Sequence, residues 1–294
     1  MVVTDNNRRG ISKRHTDEIP QVKALQESIS SIKHKYLVMS SQGGVGKTSV
    51  IVNLAVALSR RGLKVGLLDA NYQAPDIFRM HGLESAVGSD SDKPFIPVAY
   101  SDDLKVASIE SVMREKDGTG GWGKPLQMSD IRRFISSINW GSLDCLFVDT
   151  PAGPGEGLLT MIRSNPEARA IIITAPDIIN RNRATSMINF FEKEKIPIFG
   201  WIENMRGFFC QHCGRRQELF SSGPGNRAIF LGDIPFLGRI PIDPHMAECA
   251  DAGELFLEKY PESEVAQACN LIIDKILGGN RVNLCEDRSI YADL

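Results

Sequence analysis

The chain has 294 residues, 42% of them hydrophobic and 24% charged, with a formal net charge of -2. This is ordinary globular composition with no bulk basic field to hold nucleic acid or acidic lipid, and no apolar run approaches the roughly 20 residues that a membrane-spanning helix needs. The 6 cysteines are too few and too scattered for a disulfide framework, so a reducing, cytoplasmic compartment is expected.

Residues 1–20, MVVTDNNRRGISKRHTDEIP, contain no apolar core and read as a flexible leader rather than a secretory signal. Residues 35–40, KYLVMS, predict a strand, and residues 48–62, TSVIVNLAVALSRRG, a helix closed by Gly62. Further strands are expected over 64–70, 104–108, 143–150, 170–176 and 196–204, and residues 235–242, PFLGRIPI, read as one more. These runs are apolar on both parities, as in strands buried on both faces of a parallel sheet. Residues 84–101 and 115–125 read as loops, rich in Ser, Asp, Pro and Gly. A closing helix is expected over 262–279, with 280–294 as a C-terminal tail. The alternation predicts an α/β protein with a doubly wound, mostly parallel sheet and helices on both faces. No linker is evident, so residues 21–279 are read as one domain.

Between the first strand and helix stands SSQGGVGKTS, residues 40–49, a deviant form of the phosphate-binding loop. Gly43, Gly44 and Gly46 lack a Cβ, so backbone N–H groups there, and at Val45, can turn inward around phosphate oxygens. The helix beginning near Thr48 and Ser49 adds its positive N-terminal end. Lys47 offers a point charge to the β- and γ-phosphates, and Thr48 a hydroxyl to Mg²⁺. A strand–loop–helix order with these flanks points to a nucleotide such as ATP. Asp69 and Asp149 end neighbouring predicted strands, where parallel sheets place their ligands. Two carboxylates there can orient Mg²⁺, its waters and an attacking water. An isolated Asp in such a place could equally be a helix or turn cap.

Cys210 and Cys213 form a C-x-x-C pair just after the 196–204 strand, which puts two thiolates on one small turn. One chain offers half a tetrahedral site, so a dimer contributing two pairs is the economical solution. From the pair alone, an iron–sulfur cluster, a shared structural zinc and a redox dithiol stand level. Cys145, in a strand, and Cys269, in a helix, read as small buried hydrophobes. Cys249 and Cys285 have no assigned role, and His212 would strain the turn as a third ligand.

Five segments, SIKHKYLVMSSQGGVGKTS, GLKVGLLDANYQAPDIFRMHGL, WGSLDCLFVDTPAGPGEGLLT, IENMRGFFCQHCG and FLGRIPID, occur in the order and spacing of the Mrp/ApbC family, which the chain resembles over about residues 25–275. That family comprises iron–sulfur cluster carrier ATPases related to MinD and the nitrogenase iron protein. The resemblance implies a homodimer that binds ATP and Mg²⁺, bridges a [4Fe–4S] cluster through Cys210 and Cys213 of both chains, and exchanges clusters with donors and apoproteins. It implies that Asp69 and residues 149–156 act as switches and that Asn204 reads the adenine edge.

The chain departs from the family pattern at the hydrolytic machinery. Ser41-Gln42 stands where the family carries Gly-Lys, and that lysine reaches across the dimer to the partner's phosphates. Asn71 replaces an aspartate, and Trp122-Gly123-Lys124-Pro125 replaces Trp-Arg-Gly-Pro, with Lys124 placed to substitute for the arginine. Binding is therefore expected to survive while hydrolysis is weakened. A paralogue serving a dedicated redox pathway is the alternative reading. A MinD-type positioning ATPase with structural zinc is the third, opposed by an acidic tail that does not form a basic amphipathic helix.

Overall fold

A computed structural model describes residues 29, 32–83, 94–117, 127–153, 158–159, 161–162, 167–176, 178–209, 213, 215–217 and 234–278. The leader, the tail, the Trp122–Pro125 segment, Pro154–Glu156, Cys210, His212 and Cys285 lie outside these residues.

The described strands are β1 (His34–Ser40), β2 (Val65–Asp69), β3 (Val98–Ala99), β4 (Leu104–Ser108), β5 (Cys145–Asp149), β6 (Arg169–Thr174), β7 (Ile198–Glu203), β8 (Phe208–Phe209), β9 (Arg216–Gln217) and β10 (Phe236–Arg239). The helices are α1 (Lys47–Ser59), α2 (Ile77–Met80), α3 (Glu110–Asp117), α4 (Met128–Ser137), α5 (Ile178–Glu194), α6 (Pro244–Ala252), α7 (Phe256–Lys259) and α8 (Glu264–Gly278). One sheet takes 8 strands in the order β10-β7-β6-β1-β5-β2-β4-β3, while β8 and β9 pair separately. Every neighbouring pair in the large sheet is parallel except β3 and β4.

The apolar pattern explains the two layers. Tyr36 and Val38 of β1 join Cys145 and Phe147 of β5 and Ile171 and Ile173 of β6 in one core, with α1 and α8. Their alternates, Leu37, Met39, Leu146, Val148 and Ile172, enter a second core with α4 and α5. Successive strand residues point to opposite faces, and both faces are covered, as the continuous apolar runs require. Helix α1 has no polar stripe because it is buried almost throughout, from Val50 to Leu58.

Boundaries shift from the sequence expectation for local reasons. Helix α1 begins at Lys47, where Val50 N–H reaches back to the Gly46 carbonyl at 2.9 Å, and ends at Ser59 rather than Gly62. Residues 60–62 form a tighter turn in which Gly62, at φ 77°, takes the left-handed conformation. The 84–101 loop contains ordered pairing: Phe95 bridges Ile138, and β3 adds an antiparallel edge to β4. Helix α3 runs to Asp117, inside the expected 115–125 loop. Helix α6 starts with Asp243 accepting from His245 N–H, has Pro244 in its first turn, and ends at left-handed Gly253.

The crossing of α2 and α6 fixes one wall of the site described next. A Cβ on Gly82 would lie 2.7 Å from the Gly253 carbonyl oxygen, and one on Gly253 would lie 2.8 Å from Gly82 Cα. Backbone meets backbone there, and only glycine permits it. The start of α2 is held to β2 by Ile77 N–H donating to Asp69 Oδ2 at 3.1 Å.

Candidate nucleotide site and cysteine hairpin

Residues 41–46 leave the carboxyl end of β1 and enter α1. Gly44 and Gly46 have φ of 80° and 76°, values that cost a side-chain-bearing residue. A Cβ on Gly43 or Gly44 would meet nothing within 4 Å, so the loop's inner surface is open backbone. Val45 is buried in the α1-side core and anchors the loop from beneath. Ser40 Oγ donates to the Gln42 carbonyl at 2.8 Å, and Gly153 N–H donates to the Ser40 carbonyl at 2.9 Å. The loop is thus tied at its entrance to the segment that follows β5. It lines a cleft of about 270 Å³ together with Asn71, Gln73, Asp76 and Ala152.

The sequence-predicted carboxylates meet at the floor. Asp69 and Asp149 are register partners at the ends of β2 and β5, and both are fully buried. Asp149 receives two side chains from the start of α1: Lys47 forms an ion pair with its Oδ1, and Thr48 Oγ1 donates to its Oδ2 at 2.7 Å. Asp69 instead accepts from backbone, Asn71 N–H on Oδ1 and Ile77 N–H on Oδ2, each at 3.1 Å. Burial pushes the Asp69 carboxyl up to about 8, with the Asp149 charge adding to the rise and the two backbone donors opposing it. Burial raises Asp149 as well, against the pull of Lys47 and Thr48. Asp149 is therefore the better-supported anion of the pair.

Asn204 follows β7 directly. Its backbone N–H donates to the Thr174 carbonyl at 2.8 Å, and its side-chain Nδ2 donates to the Val45 carbonyl at 2.9 Å. Here the amide braces the phosphate loop. Asn71 Nδ2 donates to the Ala74 carbonyl at 3.0 Å, while its buried Oδ1 has no partner among the described residues.

Beyond Asn204 the chain makes a hairpin of β8 and β9, in which Phe208 pairs with Gln217 and Phe209 with Arg216. Cys213 lies in the connection between them and is exposed. Cys145, Cys249 and Cys269 are buried free thiols, and burial raises all three, Cys269 to about 12. They stay protonated and serve as packing groups. The structure thus brings Gly43–Ser49, Asp69, Asp149 and Asn204 together. It places Cys213 in a second element joined to the first through Asn204.

Several contributors were not picked out from the sequence. Asp76 and Gln73 complete the cleft wall, and the Ile77 N–H holds Asp69. The signal available was the Pro75-Asp76 step before an apolar pair, a helix-start pattern too short to weigh on its own.

A parallel sheet with a glycine-rich loop, a lysine-bearing helix start and two strand-end carboxylates defines a P-loop nucleotide-binding protein. Solved structures agree on the fold: a nucleotide-binding protein of Archaeoglobus fulgidus in complex with ADP superposes with a TM-score of 0.65 at 32% identity, covering 80% of this chain and 92% of that one. MinD of Pyrococcus horikoshii complexed with Mg-ADP gives 0.62 at 23% identity, covering 84% and 98%. The chain belongs to the ParA family of NUBPL iron-transfer P-loop NTPases, whose model matches residues 31–277. It is 38% identical over 253 residues to a cytosolic Fe-S cluster assembly factor, the NUBP2 homolog of Dictyostelium discoideum, covering 84% of this chain and 95% of that protein. It is 36% identical over 257 residues to an iron-sulfur cluster carrier protein of Methanocaldococcus jannaschii, covering 86% and 89%.

The buried Asp69 carboxyl gives a pH test. Its folded-state value lies above the roughly 3.9 of an unfolded aspartate, so between about pH 4 and pH 8 the folded protein binds more protons than the unfolded chain. Wild-type stability therefore falls as pH rises through that window. In Asp69→Asn that slope is absent, and the fixed cost of the altered backbone acceptor cancels in the trend. The melting temperature of the variant minus that of the wild type, without nucleotide or Mg²⁺, should rise from pH 5 to pH 8, by roughly 2–4 °C for each kcal/mol involved. A difference that stays flat across this range would contradict the assignment.

Proposed function

We propose that this protein is a cytosolic, nucleotide-dependent carrier or assembly factor that holds a [4Fe–4S] cluster between two copies of the chain and transfers it to apoproteins. The observation that carries the reading is the junction at Asn204: one face of this residue contacts the phosphate loop, and four residues further the chain enters a hairpin bearing an exposed Cys213. The likeness over most of the chain to proteins named as Fe-S cluster carriers and cytosolic assembly factors supports it.

In this reading the backbone N–H groups from Gly43 to Ser49 hold the phosphates of ATP, Lys47 turns from Asp149 to the β- and γ-phosphates, and Asn204 contributes near the base. The donor set fits Mg²⁺: the Thr48 hydroxyl and the buried Asp149 carboxylate share a 2.7 Å contact, and both are hard oxygen ligands. When bound, Mg²⁺ would supply charge neutralisation at the phosphates. Asp69 fixes the start of α2 and, with Asp149, orients water at the floor. Cys210 and Cys213 bind the cluster, which is cargo, and two chains supply the four thiolates that it needs.

Hydrolysis is weak in this reading. Gln42 lines the cleft at the position where the resembling family carries a lysine, and an amide brings hydrogen bonds without charge. Developing charge on the γ-phosphoryl oxygens then lacks its cross-dimer cation. A dedicated redox role finds no observation in its favour.

Two measurements test this. Anaerobically purified protein should contain iron and sulfide, about two of each per chain for a cluster shared by two chains. Cys210→Ala and Cys213→Ala should each lose them with ADP affinity nearly unchanged. Full iron content in either variant, or zinc in place of iron in the wild type, would refute the cluster assignment. In steady-state hydrolysis Gln42→Lys should raise kcat by at least about tenfold, part of the 10³–10⁵ that a transition-state cation can supply, and more than it lowers KM. No change in kcat would show that another group already supplies the charge.

A further inference from the structure

The segment between β2 and α2 contributes Asn71, Gln73, Ala74 and Asp76 to the cleft. Its far end is fixed, because Ile77 N–H donates to Asp69 Oδ2 at 3.1 Å and Met80 N–H donates to the Asp76 carbonyl at 3.0 Å. Asp76 stands at the N-cap position of α2, yet its side chain accepts no capping hydrogen bond and forms no ion pair among the described residues. Its carboxylate is exposed on the cleft wall. On the same wall Asn71 Nδ2 is turned to the Ala74 carbonyl, which leaves the buried Asn71 Oδ1 without a partner among the described residues. Lys47 and Asp76 are the charged side chains lining the cleft, and Lys47 is already paired with Asp149. Burial raises the Asp149 carboxyl, and the Asp76 charge adds to that rise, so the two carboxylates lie within electrostatic reach of each other. The cleft therefore presents one negative charge that no cation offsets.

From this arrangement we infer that Asp76 makes nucleotide binding conditional on a divalent cation: its carboxylate repels a bare phosphate tail and accepts hydrogen bonds from the waters of a hydrated Mg²⁺. The inference rests on the proposed function in taking the loop as a nucleotide site with Thr48 and Asp149 as the metal's oxygen ligands. A phosphate tail is anionic, so an unmatched carboxylate on the wall opposes it, and a divalent cation neutralises much of that charge. Mg²⁺ dehydrates reluctantly and keeps several of its waters. Each such water is a hydrogen-bond donor, and the Asp76 carboxylate and Asn71 Oδ1 are acceptors only. Groups that bind a metal through its waters tune its affinity although they do not touch it. Asp76 is thus a positioning residue, and its charge decides which form of the nucleotide the loop accepts. A side chain that merely held α2 in place would affect both forms alike.

The test is equilibrium dialysis of ADP against the full chain, once in excess Mg²⁺ and once in EDTA. The wild type is compared with Asp76→Asn, Asp76→Ser and Asp76→Glu, the folding of each checked by circular dichroism. Asparagine and serine are both favoured N-cap residues, so α2 is retained in the first two variants. The wild type should bind ADP about a hundredfold more tightly with Mg²⁺, toward the upper end of typical coupling between two ligands. In Asp76→Asn and Asp76→Ser this ratio should fall about tenfold, the lower end of what a group outside the metal's own ligands contributes. Bare ADP should bind more tightly in them than in the wild type, and Mg-ADP less tightly. Asp76→Glu keeps the charge and should retain most of the ratio. An unchanged ratio in folded Asp76→Asn and Asp76→Ser would overturn the inference and leave the proposed function standing. So would a wild type that binds ADP equally well with and without Mg²⁺. A wild type that binds ADP in neither condition would overturn the two together.

Discussion

The buried pairing of Lys47 with Asp149 is the interaction on which the site depends. It joins the start of α1 to the end of β5, and Thr48 completes it from the same helix. Both partners are almost fully buried, so neither charge is tolerable alone: removing one member of such a pair typically costs about 3–5 kcal/mol. The pair therefore sets the height of α1 against the sheet, and with it the glycine-rich turn between β1 and α1. Asp69 is the counterpart that forms no ion pair among the described residues. Its carboxyl is held by backbone donors and pushed toward the protonated form by burial and by Asp149, so it acts as a tie between β2 and α2.

The same arrangement explains why the departures from the family pattern leave the floor of the site intact. Gln42 and Asn71 lie on the cleft wall, not beneath it. The Gln42 carbonyl is fixed by Ser40, and the Asn71 N–H still reaches Asp69. These contacts use backbone and are indifferent to the charge of the side chain. What changes is the charge facing any anion in the cleft, which alters the chemistry above the floor without disturbing the fold.

Much of this was legible in the sequence. The strand runs were continuous and apolar, and their burial on both faces followed from that. The loop was legible because its glycines, lysine and threonine must stand at fixed spacing, and Asp69 and Asp149 because they close two such runs. Of the helices only those over 48–62 and 262–279 were expected by position; α3, α4 and α5 were not placed, and nor were α2, α6 and α7, since short helices depend on caps and tertiary contacts more than on periodicity. Helix α6 is set by Asp243, Pro244 and Gly253, and α2 by Asp69 and a glycine contact with Gly253. The pairing of Asn204 with Val45 was invisible for another reason: the two are 159 residues apart, and no local pattern reports a side chain that bonds to a distant carbonyl. The Val98–Ala99 edge strand likewise owes its pairing to β4 rather than to its own residues.

The central claim is that Lys47, held ready by Asp149, is the cation through which the loop binds a nucleotide. Equilibrium dialysis of Mg-ADP against the wild type, Lys47→Ala and Lys47→Gln tests it most directly, the last variant keeping a hydrogen-bond donor for Asp149, with folding of each checked by circular dichroism. Loss of a charged hydrogen bond worth about 1.5–3 kcal/mol predicts affinity weakened by at least roughly tenfold in both folded variants. Equal affinity in the wild type and in a folded Lys47 variant would contradict the account.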